Sequence, residues 1–259
     1  KETIIPAEAT DKRMFRLLPV VAFASALTAF LYIPLGNCRS FFPFSGDLIV
    51  VLYFLTLPTL AFALAGWDSK SLYSAIGSVR TLTQVFAYEV PLFMALLAPA
   101  MLADSWSVSG IAGFYSVHPL YSLLNLPGFF VAIIAAQGKL ERAPFDTPGA
   151  ETEIVGGTFT EYSGRLLGLF RGTLNVEMVV ITSLIAAIFI PLYVTGNPVL
   201  GFAVYILKTL FIVFILAAIR ALMARLRIEQ MIDFCWKYLA PIALVQVLID
   251  LLMEGVLIK

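Results

Sequence analysis

Apolar runs of about 20 residues recur along this chain, and they constrain its fold more than any other feature. Each is long enough to cross a hydrocarbon core of roughly 30 Å as a helix. Inside a bilayer a helix satisfies its backbone hydrogen bonds within one segment. A barrel would show alternating segments of about ten residues, and the sequence has none. Seven spans are read: Phe15–Pro34, Asp47–Trp67, Leu82–Ala103, Leu120–Gln137, Val176–Val194, Val199–Met223 and Phe234–Leu257. Leu166–Asn175 reads as a short extra helix leading into the fifth. Composition agrees, with 60% hydrophobic and 13% charged residues against about 25% charge in a soluble domain. The expected fold is an all-α, polytopic transmembrane helix bundle. Residues 1–259 form one membrane domain, with an acidic loop at 138–164.

The basic residues set an orientation. With residues 1–14 cytoplasmic, 14 of the 17 Lys and Arg fall in the amino-terminal segment and alternate connections. Those connections include Lys70 and Arg80, then Lys139, Arg142, Arg165 and Arg171, then Arg220, Arg225, Arg227 and Lys237. The opposite connections hold only Arg39 and the terminal Lys259, and Lys208 lies inside a span. The expectation is a multi-pass protein of the cytoplasmic or inner membrane, with its start and acidic loop in the cytoplasm and its carboxyl end outside.

The remaining chemistry is sparse. Seventeen acidic residues balance the 17 basic ones, so no excess charge points to nucleic acid. Two cysteines, Cys38 and Cys235, and one histidine, His118, cannot build a zinc site or hold an iron–sulfur cluster unaided. On this topology the cysteines lie at opposite faces, which opposes a disulfide. There is no P-loop, dinucleotide glycine fingerprint or nucleophile–base pairing. No catalytic or metal-ligating set is expected, and the chain has no redox chemistry of its own.

What stands out instead is charge placed where lipid should forbid it. Glu89 lies well inside the third span, Glu177 near the cytoplasmic start of the fifth, Lys208 in the sixth, and Asp250 and Glu254 late in the seventh. An ionised side chain at mid-bilayer costs roughly 3 kcal/mol, so such groups face the bundle interior, a partner or water. A carboxyl held out of water can exchange a proton near neutral pH. Glu89, with Pro91 and Pro99 loosening the backbone beside it, is the foremost candidate. The loop supplies Glu141, Asp146, Glu151, Glu153 and Glu161 among the apolar Ala143–Pro144–Phe145 and Ile154–Val155. This interleaving predicts a folded, partly buried element whose carboxylates share protons. Pro144, Pro148, Gly149, Gly156 and Gly157 oppose one continuous helix there.

Glu141–Arg142–Ala143–Pro144–Phe145–Asp146, with Glu151–Thr152–Glu153–Ile154–Val155–Gly156–Gly157 and Thr160–Glu161–Tyr162–Ser163–Gly164, resembles the H-type membrane subunit of complex I. That subunit is shared with energy-converting nickel–iron hydrogenases and the related sulfane reductase. The resemblance runs nearly end to end, through Ala65–Gly66–Trp67, Arg80–Thr81–Leu82–Thr83–Gln84, Tyr88–Glu89–Val90 and Arg225–Leu226–Arg227–Ile228–Glu229–Gln230–Met231. It implies eight spans, of which the amino-terminal one is not among the seven read. It also implies a seat between a soluble redox arm and ion-pumping, antiporter-like and small membrane subunits.

The proton path implied is Glu89, Glu141, Asp146, Glu151, Glu153, Glu161 and Glu177. Arg80, Arg142, Arg225, Arg227 and Lys237 would orient or dock the soluble arm. Iron–sulfur clusters, with a nickel–iron centre or a flavin, belong to partner subunits. Lys139 and Gly149 stand where the family commonly has acids, and the connection Thr195–Pro198 is short. These departures lean toward the hydrogenase or sulfane-reductase branch. The alternatives are the quinone-cavity subunit of complex I proper and a stand-alone secondary transporter.

Overall fold

The computed structural model describes residues 3–6, 11–36, 40–192 and 197–257, with side chains for all of these except 151, 152, 256 and 257. Cys38, Arg39, Lys259 and the first half of the 195–198 connection lie outside the described residues.

The described residues fold into helices: α1 (Lys12–Leu31), α2 (Asp47–Asp68), α3 (Leu72–Leu102), α4 (Val108–Val117), α5 (Leu126–Lys139), the single turn α6 (Glu151–Ile154), α7 (Gly164–Phe189), α8 (Pro198–Leu222), α9 (Ile228–Phe234) and α10 (Ala240–Leu257). The last two join through a π-helical turn, Cys235–Leu239, into one rod. Among the described residues, six helices are long and apolar enough to cross a membrane.

The fourth apolar run differs from its reading as a single span. A 3-10 turn at Pro119–Leu123 interrupts it, and α5 restarts at Leu126 with Pro127 in its first turn. Fourteen residues give about 21 Å at 1.5 Å each, short of a full crossing. Buried Asn125 sits at the break and donates to Tyr115 of α4 at 2.7 Å. Polar satisfaction therefore accompanies the interruption. The extra helix read at 166–175 is not separate either, because α7 runs unbroken for 26 residues.

Small residues let the rods approach. Ala22, Ala26 and Ala29 are fully buried along α1, four and three residues apart on one face. They pack along α2, which buries Ala61, Ala65 and Gly66. Lipid offers little hydrophobic drive for helix association, so close packing and internal hydrogen bonds hold such a bundle together. The 31-residue α3 is the axis, packed against α2, α5 and α10. By contrast α8 buries only Gly201, Lys208, Ile212 and Leu216 and leaves an apolar face open.

The 138–164 stretch is folded rather than loose. An aromatic cluster pins it to α1, α2 and α7: the Tyr162 ring stacks on Phe15 at 4.0 Å, and Phe159 packs on Phe62 and Phe170. Leu226 N–H donates to Pro144 O at 2.9 Å, tying the segment before α9 to the same loop. The turn Gly157–Phe159 lies so close to α3 that a Cβ at Gly77 would stand 2.5 Å from Thr158 N. Overpacking of this kind costs about 1–3 kcal/mol. Gly77→Ala is therefore expected to lift the 157–159 turn off α3 and leave the helices intact. Limited proteolysis checks this: cleavage within 150–165 should appear in the variant, and an unchanged pattern would contradict the close docking.

Candidate functional site

The polar face of α3 organises the site. Gly77, Thr81, Gln84 and Tyr88 are buried at three- and four-residue spacing, the period of one helical face. Gln84 Nε2 donates to Gly138 O at 2.7 Å, and its Oε1 accepts from Thr147 Oγ1. One side chain thus holds both the end of α5 and the acidic loop. One turn earlier, Arg80 donates to Glu153 at 2.6 Å and to Thr147 O at 3.4 Å, while Arg225 approaches the other Glu153 oxygen at 3.5 Å. The hydrogen bond from Arg80 holds the Glu153 carboxyl below the usual carboxylate range, with Arg225 and Arg227 adding to it. Glu153 is half exposed, so this is a solvated clasp rather than a buried relay.

The centre of the site is one turn deeper. Lys139, the last residue of α5, places its ammonium 3.1 Å from Glu177 of α7, with both side chains almost wholly buried (3% and 0% exposed). It also donates to Thr59 Oγ1 of α2 at 2.7 Å. Tyr88 and Glu89 of α3 lie within its field. Five segments, α2, α3, α5, α7 and the loop at Glu141, therefore converge on one cation. Removing one partner of such a pair leaves a bare buried charge, at a cost of about 3–5 kcal/mol. The carboxylate side is under-satisfied: among the described residues neither Glu177 oxygen has a hydrogen-bond partner, and buried Glu141 Oε1 has none. Orphaned buried acceptors call for an explanation, such as a proton or water in transit.

The residues expected to form the path divide into two groups. Glu177 is buried in the core, and half-buried Glu141 and Glu89 adjoin it, one from the loop and one from α3. Burial, reinforced by the neighbouring Glu177, pushes the Glu141 carboxyl up to about 8. Asp146 is half-buried and close enough to Glu141 to influence it. Glu153 and Glu161 belong to the loop surface, with Glu161 half-buried beside Tyr162. The side chain of Glu151 lies outside the described residues.

Of the basic residues, Arg80 and Arg225 clasp Glu153, and Arg227 lines the same cavity of about 550 Å³. Arg142 instead lines a second cavity with Arg171, Arg220 and Glu141. Lys237 pairs with Asp233 at 2.6 Å, both exposed. It is thus engaged within its own helical segment.

From the sequence, Lys139 reads as one of the cytoplasmic basic residues and as a departure from the family, Gln84 only as part of a shared motif, and Thr59 carries no signal. A lysine at a helix end beside an acidic loop reads as solvated. Only the packing of α2 and α7 shows otherwise. A second buried network sits at the opposite end of α3. Gln246 donates to Asn125 and to Asp250, which is 0% exposed. Lys208 donates to Ile190 O at 3.1 Å, so it is bound within the bundle.

The family described as NADH dehydrogenase matches residues 1–251. The H-type subunit of the NADH-quinone oxidoreductase from Dehalococcoides mccartyi is 36% identical over 254 residues, covering 96% of this chain and 69% of that protein. NADH-quinone oxidoreductase subunit 8 of Thermus thermophilus is 35% identical over 259 residues, covering 97% and 71%. Among solved structures, a chain of the membrane-bound sulfane sulfur reductase, an archaeal respiratory membrane complex, superposes with a TM-score of 0.86 at 25% identity over 96% of this chain and 82% of that one. A helical bundle that buries an ion pair against an acidic loop thus has relatives nearly end to end: this chain belongs to the NADH dehydrogenase family and is a membrane subunit of a complex-I-like respiratory complex.

Proposed function

We propose that this subunit couples electron transfer in a soluble arm to ion translocation, with Glu141, Glu177 and Glu89 as its internal proton path. The observation that carries this reading is the set of carboxyls around Lys139: buried, under-satisfied Glu177 is flanked by half-buried Glu141, with one orphaned oxygen, and by half-buried Glu89 on α3. Glu141 is the inlet: it adjoins the polar cavity lined by Arg142, Asp146 and Arg220. Half-buried Glu89 is the exit toward a neighbouring membrane subunit. A charge change at the loop reaches these groups because interactions in a low-dielectric site are several-fold stronger than in water.

The loop end, where Arg80, Arg142, Arg225 and Arg227 gather, faces the cytoplasm by the positive-inside rule, and the carboxyl end lies outside. Arg80, Arg225 and Arg227 dock the soluble arm, whose partner subunits carry the iron–sulfur clusters with a nickel–iron centre or a flavin. The other partners are antiporter-like and small membrane subunits.

The acceptor assignment leans to the hydrogenase or sulfane-reductase branch, supported by Lys139 and Gly149 at positions where acids are common in the family. A second reading, a quinone-cavity subunit, is favoured by a cavity of about 430 Å³ between α1 and α7, with Ile5, Val20, Leu166 and Leu169 as walls and Arg16 and Arg165 at its rim. Those apolar walls and two donors fit a quinone ring, which would supply a two-electron acceptor when bound. A purified complex that turns over without any quinone rejects this second reading.

Two outcomes test the path. Glu89→Gln in the intact complex, assayed in membrane vesicles, should keep electron transfer and lose at least tenfold in ions moved per electron pair. Wild-type stoichiometry in that variant would reject the path. A stand-alone transporter would move its ion without partner subunits. The second test is pH: an acid titrating near 8 holds its proton at neutral pH and loses it as pH rises. Ions per electron pair should therefore hold steady below about 8 and fall above it, with electron transfer unaffected. A flat ratio across that range would remove Glu141 as the inlet.

A further inference from the structure

We propose that the Lys139 ammonium is a two-position countercharge whose placement decides whether Glu177 or Glu89 holds the proton in transit. This rests on the path proposed above and adds to it a moving part that none of the carboxyls supplies.

The geometry shows a pair that is held but not locked. A stable buried ion pair needs good geometry and further hydrogen bonds to satisfy the remaining lone pairs. Here the ammonium stands 3.1 Å from Glu177 Oε1, yet neither Glu177 oxygen has a hydrogen-bond partner among the described residues. The firmer contact of the ammonium is to the neutral Thr59 hydroxyl, at 2.7 Å. Lysine suits such a part, being a compact charge on a flexible four-carbon stem with three rotatable donors. Its position at the carboxyl-terminal end of α5 also places the cation where the helix dipole favours it.

The surrounding groups define the alternatives. Facing the ammonium are Thr59 from α2, Tyr88 and Glu89 from α3, Glu177 from α7 and Glu141 from the loop. No arginine or second lysine forms an ion pair with Glu177 or Glu89 among the described residues. One cation thus serves two carboxyls on different helices.

A cycle follows in which lysine stays protonated and charge balances at each step. With the ammonium on Glu177, that carboxyl is ionised and Glu89 carries the proton. When the ammonium shifts toward Glu89, that group releases its proton to the neighbouring subunit. Glu177, now without its cation, takes a proton from Glu141. As the ammonium returns, the Glu177 proton passes to Glu89, and Glu141 is reloaded from the loop cavity. Each round trip admits one proton at Glu141 and releases one from Glu89. The Lys139, Glu177 and Glu89 triad remains neutral at both ends of the stroke.

Lys139→Gln tests the switch apart from the path. If the pair only stabilises the fold, Glu177 can neutralise itself by taking a proton, and pumping through Glu141, Glu177 and Glu89 continues. If the ammonium is the moving part, the intact Lys139→Gln complex keeps electron transfer and loses at least tenfold in ions per electron pair in vesicles. Lys139→Gln/Glu177→Gln removes both charges together and leaves no bare ion, so it assembles even where the single variant does not. Because it also takes Glu177 out of the path, it should lose pumping on either account. Wild-type stoichiometry in it rejects path and switch together, whereas wild-type stoichiometry in Lys139→Gln overturns the switch. Running Glu89→Gln alongside separates the two failures. Loss in Glu89→Gln with full pumping in Lys139→Gln rejects the switch alone, whereas full pumping in both rejects the path as well.

Discussion

A lysine ammonium and a glutamate carboxylate, buried together 3.1 Å apart where the end of α5 meets the middle of α7, form the constraint around which this bundle is arranged. Neither charge is tolerable alone in a low-dielectric interior. Their coexistence fixes the spacing of α5 and α7 and draws in Thr59 from α2. Gln84 then positions the end of α5 by accepting from Thr147 and donating to Gly138. The acidic loop is thereby held to the same axis by hydrogen bonds on one side and by the Phe15, Tyr162, Phe159 and Phe170 rings on the other. Local polarity and aromatic packing act together: the first sets where charge sits, the second keeps the loop from opening to solvent.

The two ends of α3 are built differently, and this difference gives the bundle a direction. At the loop end the polar groups are charged and under-satisfied, and they adjoin solvent-facing cavities lined by arginines. At the opposite end the network is made mostly of neutral groups, with Gln246, Asn125 and Tyr115 passing hydrogen bonds from Asp250 to Pro99 O. A network of neutral amides and a phenol rigidifies. A cluster of carboxyls around one cation responds to charge. On the proposed reading the loop end is where a redox event would be felt, and the other end would anchor the helices that carry the response.

Much of the fold was legible in the sequence, because twenty-residue apolar runs leave little choice of element. The run at 120–137 shows where hydropathy is least informative, because Asn125 and Pro127 break the helix without lowering the average and leave a shorter apolar helix from Leu126. The folded state of the loop was also legible, from Phe145 and Ile154 standing among acids. The site was legible in part. Glu89 and Glu177 announce themselves as acids inside spans, and Glu141 lies within the motif shared with the family. Lys139 does not, because a lysine shortly before Pro144 looks like a helix end in water. Its burial depends on contacts with residues 80 and 38 positions away, Thr59 and Glu177, which no local pattern encodes.

The central claim is that carboxyl protonation in this subunit follows electron transfer next door. Redox-triggered infrared difference spectroscopy on the whole complex reads that directly. A protonated-carboxyl band that appears or vanishes on reduction, and is missing from the difference spectrum when position 89 carries an amide, is the predicted result. A difference spectrum without any carboxyl change, or with one indifferent to that substitution, would contradict it.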